Sequence, residues 1–547
     1  MSDRRPSAAQ LLGLVLATCG LCALAAESIA SEFPTEICAA AELSGSRTPE
    51  RERLKLGANY GVAFSGGGSR SAAATIGQLR GLHRAGLLPS IDYFSAVSGG
   101  AWAAVPYTYY QGGEPGIETF VGLDLYRPPE LLSDEDLESL PEGSFVKALG
   151  GVGFFVTRAP SALIRGKGNE IWSDIVGKEL LAPFGLYDRR YLFAWDKPVG
   201  DFLTRLPQSE ARHIPYLLVG GVIKCGPFGD RRILPLEISP LSTGVLPGVA
   251  SDTRCPQSGY IPTYVFDNPP ASTNDCPDNE QSYRIEHKKD LFTLSDALGI
   301  TSSAPGLLVG KLMPFQTAVM KTPENWDNFK ARDGGGLDNL GLLPLLSREV
   351  ANITVFVNSK HPIEPDCSGK KCKWRKPVTS YFEVTGTKKT GFLGQESSGS
   401  VNSSIAGVFQ GNGEELVKRL AAQKRAGKIP FHCGEFPLSE TNQLKLPSTY
   451  KPRICWVYLD RTEEWVKQLE GAEDSLVHAL KTQQRPYRDF PHYATFLSEG
   501  SRGQAADLDK KEILAMGQLT TWTVCEIAQD LVAGVEVGCS REVRVGE

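Results

Sequence analysis

Ser98 has the setting of a reactive group. Ala96-Val97-Ser98-Gly99-Gly100 puts a hydroxyl on a sharp turn between an apolar strand and a segment of small residues, the pattern of a nucleophile elbow. Ala96 stands where glycine is usual, so its methyl group must fit a tight crossing. A serine hydroxyl becomes a nucleophile only when a neighbouring base takes its proton. Of the 7 histidines, His83 falls within a helix, and His213, His287, His361, His432, His478 and His492 stand in polar settings outside any motif. Each reads as a surface or structural residue. A carboxylate can replace histidine if it sits directly against the serine in a site dry enough to raise its basicity. Asp333 is the candidate: Asp333-Gly334-Gly335-Gly336 can aim the carboxylate through a tight turn, and the apolar run Leu340 to Leu346 leads back into the core. A plain Asp-Gly turn is the ordinary reading of the same residues. Asp338 is a rival that lacks the glycine turn.

A third turn lies upstream, at Ser65-Gly66-Gly67-Gly68-Ser69-Arg70. Glycines between a strand and a helix let the backbone approach a ligand, and the helix start leaves N–H groups pointing outward. Such a turn binds anions. The dinucleotide fingerprint needs glycine where Ser71 stands, and the phosphate loop needs Gly-Lys-Ser/Thr, so both nucleotide readings fail. The remaining use is an oxyanion hole built from Gly66, Gly67 and Gly68, with the nucleophile on a neighbouring strand end.

The elements that would position these groups follow from periodicity. Residues 61 to 65 form a short apolar strand, and Ile76, Leu79 and Leu82 recur at helical spacing up to a stop at Gly86. Ile91 to Val97 is a second strand running into Ser98, which completes a strand-helix-strand unit of a parallel α/β sheet. Apolar runs at 215–223 and 233–238 read as strands inside a long insertion over 115–290, an expected lid over the site, although they could instead complete an enlarged core. A cross-linked loop region is expected at 240–290. Order returns at 294–308 and at the strand 353–357, and 508–533 is the best long helix near the C-terminus.

Composition bounds the rest. The 547 residues are 41% hydrophobic and 22% charged, an ordinary globular balance, and a net charge of -5 gives no field that would gather nucleic acid. Arg4 and Arg5 followed by the apolar run Leu11 to Ala26 read as a signal peptide over residues 1–26, shorter than the ~20 apolar residues a bilayer span requires. Its removal discards Cys19 and Cys22 of the 12 cysteines and leaves an even number for an oxidising compartment. Cys367 with Cys372, and Cys525 with Cys539, are near enough in sequence to pair. No Cys-x-x-Cys remains in the mature chain, so no metal site and no cofactor is expected. Sequons at Asn352 and Asn402 agree with secretion into the extracellular space or a vacuole-like lumen.

Ser65-Gly66-Gly67-Gly68-Ser69-Arg70, Ser98-Gly99-Gly100-Ala101-Trp102, and Asp333-Gly334-Gly335 with Asn339 and Pro344 together resemble the patatin-like and cytosolic phospholipase A superfamily. Leu236-Glu237-Ile238-Ser239-Pro240 with Gly244, and the long separation of Ser98 from Asp333, resemble its secreted lysophospholipase (phospholipase B) members. Thr301-Ser302-Ser303-Ala304-Pro305 is shared with patatins. The resemblance implies an α/β three-layer sandwich with a central, mostly parallel sheet. The catalytic domain would span 50–360, with 361–547 a helical C-terminal extension packed on it. It also implies a Ser98–Asp333 dyad cleaving carboxylic esters of phospholipids or lysophospholipids, an oxyanion hole at the glycine turn, elbow glycines Gly99 and Gly100, and Arg70 facing the substrate phosphate. The implied partners are the lipid and, peripherally, a membrane or micelle surface, with no nucleic acid; the oligomeric state stays open. An acyltransferase or neutral-lipid esterase would use the same dyad, and a non-catalytic lipid-binding protein would keep only the fold.

Overall fold

The computed structural model describes residues 36–40, 48–110, 112–150, 171–187, 192–193, 203–204, 213–225, 232–247, 255–256, 258–263, 266–267, 282–286, 292–303, 316–321, 326–366, 373–374, 408–411, 413–440, 442, 444–494, 508–532 and 538–539. The expected signal peptide, the Cys367–Cys372 pair and the Asn402 sequon lie outside the described residues, as do parts of the 115–290 segment.

Eleven strands form one mixed sheet: β1 (Tyr60–Phe64), β2 (Tyr93–Val97), β3 (Tyr216–Cys225), β4 (Arg232–Ile238), β5 (Ser242–Val245), β6 (Gly259–Pro262), β7 (Gln316–Lys321), β8 (Trp326–Asp333), β9 (Asn352–Val357), β10 (Phe431–Glu435) and β11 (Arg453–Tyr458). Their order is β10-β11-β9-β1-β2-β3-β4-β5-β6, with β8 also paired to β3 and β7 to β8. The five middle strands, β11 through β3, run parallel, and both margins are antiparallel. Every residue of β1 and β2 is buried, as expected of strands covered on both faces, and their sequences accordingly lack polar alternation.

Two expectations change here. The apolar run of the 115–290 segment does not lie over the core as part of a lid. It is β3, a central strand buried from Tyr216 to Ile223, which is why that run is apolar on both faces. Residues 361–547 likewise do more than pack on the core, since they supply β10 and β11 to the sheet itself.

Helices cover the sheet: α1 (Gly68–Arg84), α2 (Gly99–Tyr109), α3 (Leu294–Ser302), α4 (Leu343–Ser347), α5 (Gly413–Arg425) and α6 (Lys510–Leu531). The C-terminal α6 lies against α1 at very short range, because a side chain at Gly77 would collide with Thr520 and the Gly517 backbone, and one at Gly81 with Val524. Thr521 Oγ1 donates to the Gly77 carbonyl at 3.0 Å across this crossing. Disulfides join Cys225 to Cys255, Cys433 to Cys455 and Cys525 to Cys539. The last was anticipated from spacing, and Cys433 and Cys455 are direct partners across β10 and β11.

One ionic cluster is completely buried. Arg348, just past α4, reaches Glu50 at 2.7 Å and both carboxylate oxygens of Glu237 at 2.7 Å, and all three side chains have 0% exposure. The Tyr93 hydroxyl donates to Glu50 at 3.1 Å. The short helix Pro49–Leu54 is thereby tied to β4 and to the end of α4. Glu237, singled out by resemblance, is a member of this structural cluster.

Candidate active site

The position of Ser98 follows from the register of β3. This strand pairs with β4 along one edge from Val219 to Cys225. Its other edge is divided: β2 occupies Tyr216 to Gly220 in parallel, and β8 occupies Gly221 to Lys224 antiparallel. The two occupants therefore run toward each other and their C-terminal ends meet, Val97 opposite Gly220 and Asp333 opposite Gly221. Ser98 follows directly on β2, so residues 235 apart in sequence become neighbours.

Ser98 turns the chain with φ 52° and ψ −123°, a backbone state costly for a non-glycine residue and typical of a strained nucleophile turn. β2 and α2 hold it from either side. A Cβ at Gly99 would collide with the backbone of Gly68, so only glycine lets the elbow press against the start of α1. Ala96 is fully buried within β2, which pairs with β1 on one side and β3 on the other.

The Ser98 hydroxyl donates to Asp333 Oδ2 at 2.9 Å, and the Gly335 N–H donates to Asp333 Oδ1 at 2.7 Å. Ser98 is 5% exposed and Asp333 8%. Burial pushes the Asp333 carboxyl up to about 6, against the lowering effect of the Gly335 N–H and the Ser98 hydroxyl. Among the described residues its donors, the Ser98 hydroxyl and the Gly335 N–H, are neutral. Asp338, the rival, caps α4: its oxygens accept the N–H groups of Leu342 at 3.1 Å and Leu343 at 2.8 Å. Among the described histidines, His213 is bonded to the Ile91 carbonyl and His492 to that of Ser359.

Within the glycine turn the three expected oxyanion donors differ. The Gly66 N–H is spent on the Asn339 carbonyl at 2.8 Å, which corrects its assignment. The Gly68 N–H is one of those at a helix start without an intrahelical acceptor, and it lies beside Gly99. Gly67 precedes it as the helix cap. Below the turn is a buried polar network. Asn358 N–H donates to Ser65 Oγ at 2.7 Å, Asn358 Nδ2 to Ser71 Oγ at 3.1 Å, and Gln78 Nε2 to Asn358 Oδ1 at 2.8 Å.

Arg70 belongs to this network. It is 4% exposed, and its Nε and Nη1 donate to the carbonyls of Asn358 at 3.2 Å and Tyr493 at 2.6 Å. Burial lowers its pKa to about 10, which leaves it charged at neutral pH. Neither a surface salt bridge nor a side chain displayed to solvent describes it. Sequence reasoning did not assign a role to Thr301, whose hydroxyl accepts the Ser98 N–H at 3.0 Å; the signal was its place in Thr301-Ser302-Ser303. Among the described residues no cluster of His, Cys, Asp or Glu could hold a metal ion, and no helix is long and apolar enough to cross a membrane.

The patatin-like phospholipase family matches residues 62–346, more than half of the chain and a span holding the glycine turn, Ser98 and Asp333; the chain belongs to this family. Among solved structures it is similar to human GIVD cytosolic phospholipase A2, at 12% identity and a TM-score of 0.40, covering 89% of this chain and 62% of that one. The same human protein in complex with methyl gamma-linolenyl fluorophosphonate and terbium chloride matches at 13% identity and a TM-score of 0.39, over 88% of this chain and 61% of that one. The chain thus spans less than two thirds of these proteins. No curated protein matches the sequence.

Proposed function

We propose that the protein is a lipid acyl hydrolase that cleaves carboxylic esters of phospholipids or lysophospholipids with Ser98 and Asp333. The observation that carries this reading is the 2.9 Å bond from the Ser98 hydroxyl to the buried Asp333 carboxylate, whose hydrogen-bond donors among the described residues are neutral. Ser98 Oγ attacks the ester carbonyl carbon while Asp333 Oδ2 takes its proton. The oxyanion of the tetrahedral intermediate is received by N–H groups at the start of α1, Gly68 foremost, aided by the positive end of the helix. Collapse breaks the ester bond, and Asp333 returns the proton to the departing alcohol. A water molecule then attacks the acyl-serine; Asp333 takes its proton and passes it to Ser98 as the fatty acid leaves. Substrate would be taken from a bilayer or micelle surface.

One observation favours a second substrate class. Arg70, the cation expected to meet the phosphate, spends two of its nitrogens on backbone carbonyls, which favours neutral esters on the same dyad. The three disulfides among the described residues support folding in an oxidising compartment and hence a secreted protein.

A fluorophosphonate probe tests the enzyme reading: wild type is labelled, and Ser98→Ala is not. Absence of label on wild type, or equal label on Ser98→Ala, overturns it. Release of fatty acid from phosphatidylcholine, lysophosphatidylcholine and triacylglycerol then assigns the substrate.

A further inference from the structure

We propose that Thr301 is the positioning residue that holds the nucleophile and the base in register, an inference that rests on the Ser98–Asp333 reading above. The need arises from the elbow itself. The pairing of β2 ends at Val97 opposite Gly220, and Ser98 stands just before the first residue of α2, so neither ladder nor helix supplies an acceptor for its N–H. A buried N–H without an acceptor is costly, and at a strained turn it would favour a different backbone path. Thr301 Oγ1 accepts it at 3.0 Å and in turn donates to the Gly220 carbonyl at 2.5 Å.

Gly220 is the last residue of β3 opposite β2, and its neighbour Gly221 is opposite Asp333. One hydroxyl therefore ties the elbow to the point where the two strands meet. The rest of the α3 C-terminal turn reinforces this grip. The Ser303 carbonyl accepts the Asp333 N–H at 3.4 Å, and Ser302 Oγ accepts Trp172 Nε1 at 3.0 Å. The backbones of both dyad members are thus held by residues 301–303. The other end of α3 is secured by a capping box between Thr293 and Asp296, so the helix is a firm support.

Accepting from Ser98 and donating to Gly220 at once requires a hydroxyl on a short side chain. Serine can do both, and valine, nearly the shape of threonine, can do neither. The test compares Thr301→Val and Thr301→Ser with wild type, with Ser98→Ala as control, using fluorophosphonate labelling, steady-state kinetics across pH and thermal melting.

The expected result for Thr301→Val is a kcat lower by about 10²-fold, the scale of a 1 Å misplacement, with KM little changed. Its pH–rate midpoint moves upward, because a Ser98 hydroxyl turned from Asp333 no longer stabilises the carboxylate. Thr301→Ser stays within a few-fold of wild type. Wild-type kcat in Thr301→Val, or equal losses in both variants with no shift of the pH midpoint, overturns the proposal. Labelling or activity that persists in Ser98→Ala instead overturns the dyad reading beneath it.

Discussion

Two of the regions where the protein buries carboxylates treat them in opposite ways. At Arg348 two carboxylates, Glu50 and Glu237, share one guanidinium at 2.7 Å, every side chain being fully enclosed. Burial raises the Glu237 pKa, and the adjacent Arg348 charge and its hydrogen bonds work against that rise. At Ser98 the Asp333 carboxylate has a hydroxyl and one backbone N–H, and among the described residues no cation. The first arrangement offsets charge with a guanidinium and holds the short helix Pro49–Leu54 to the sheet. The second leaves the charge expensive, which makes Asp333 a better proton acceptor than a solvated or ion-paired aspartate. A partner of opposite charge separates Glu50 and Glu237 from Asp333.

The largest effect that would break this contrast is chemical. Ser98→Ala and Asp333→Asn should each lower kcat/KM by roughly 10⁴-fold or more, measured by fatty-acid release, without loss of the folded state. Next, Arg348→Met should cost about 3–5 kcal/mol by leaving two buried carboxylates uncompensated, read from denaturant unfolding, while activity per folded molecule stays near wild type. A catalytic loss larger than the loss of folded protein would place Arg348 in the chemistry and erase the distinction.

A smaller effect sharpens the contrast. The Asp333 carboxyl is raised from 3.8 to about 6, so the folded state holds its proton over a range where the unfolded chain has lost it. Its contribution is then destabilising as pH rises from 3.8 through about 6 and stays so above. Asp333→Asn should be more stable than wild type at pH 7.5, by up to about 3 kcal/mol at 1.36 kcal/mol per pH unit, and no more stable below pH 4. The same ionisation should make kcat/KM rise through pH about 6 to a plateau, since only the carboxylate accepts the serine proton. The smallest predicted effect concerns Arg70. Arg70→Gln should slow hydrolysis of phosphatidylcholine and of a neutral diacylglycerol by the same factor, about tenfold, as loss of charged hydrogen bonds to Asn358 and Tyr493 disturbs the turn. A loss confined to phosphatidylcholine would return Arg70 to the substrate.

The local units were legible because their signals are local. An apolar run, glycines and helical spacing fall within 25 residues of one another at Tyr60–Arg84, and the structure has β1 and α1 there, with Gly86 just past the helix at φ 69°. β3 was legible as a strand but not as the central one, because an apolar run does not say which neighbours cover its faces. The same limit hid β10 and β11, whose membership of the sheet depends on pairing with β9. Arg348 gave no signal, since a single arginine after a short apolar helix has the pattern of a surface residue. Thr301 was noticed only as part of a motif. Its bonds to Ser98 and Gly220 span 203 and 81 residues.

The sequence by itself determined the three glycine turns and the elements beside them, because close backbone approach and positive φ are demands on residue type that no distant contact can waive. It also narrowed the base to two aspartates. Only the tertiary structure brings one of them against Ser98. Asp333 ends the strand that shares an edge of β3 with β2, while Asp338, five residues on, turns to cap α4. That choice is made by strand register, a property of how distant segments pair, and the residue types around the two aspartates do not contain it.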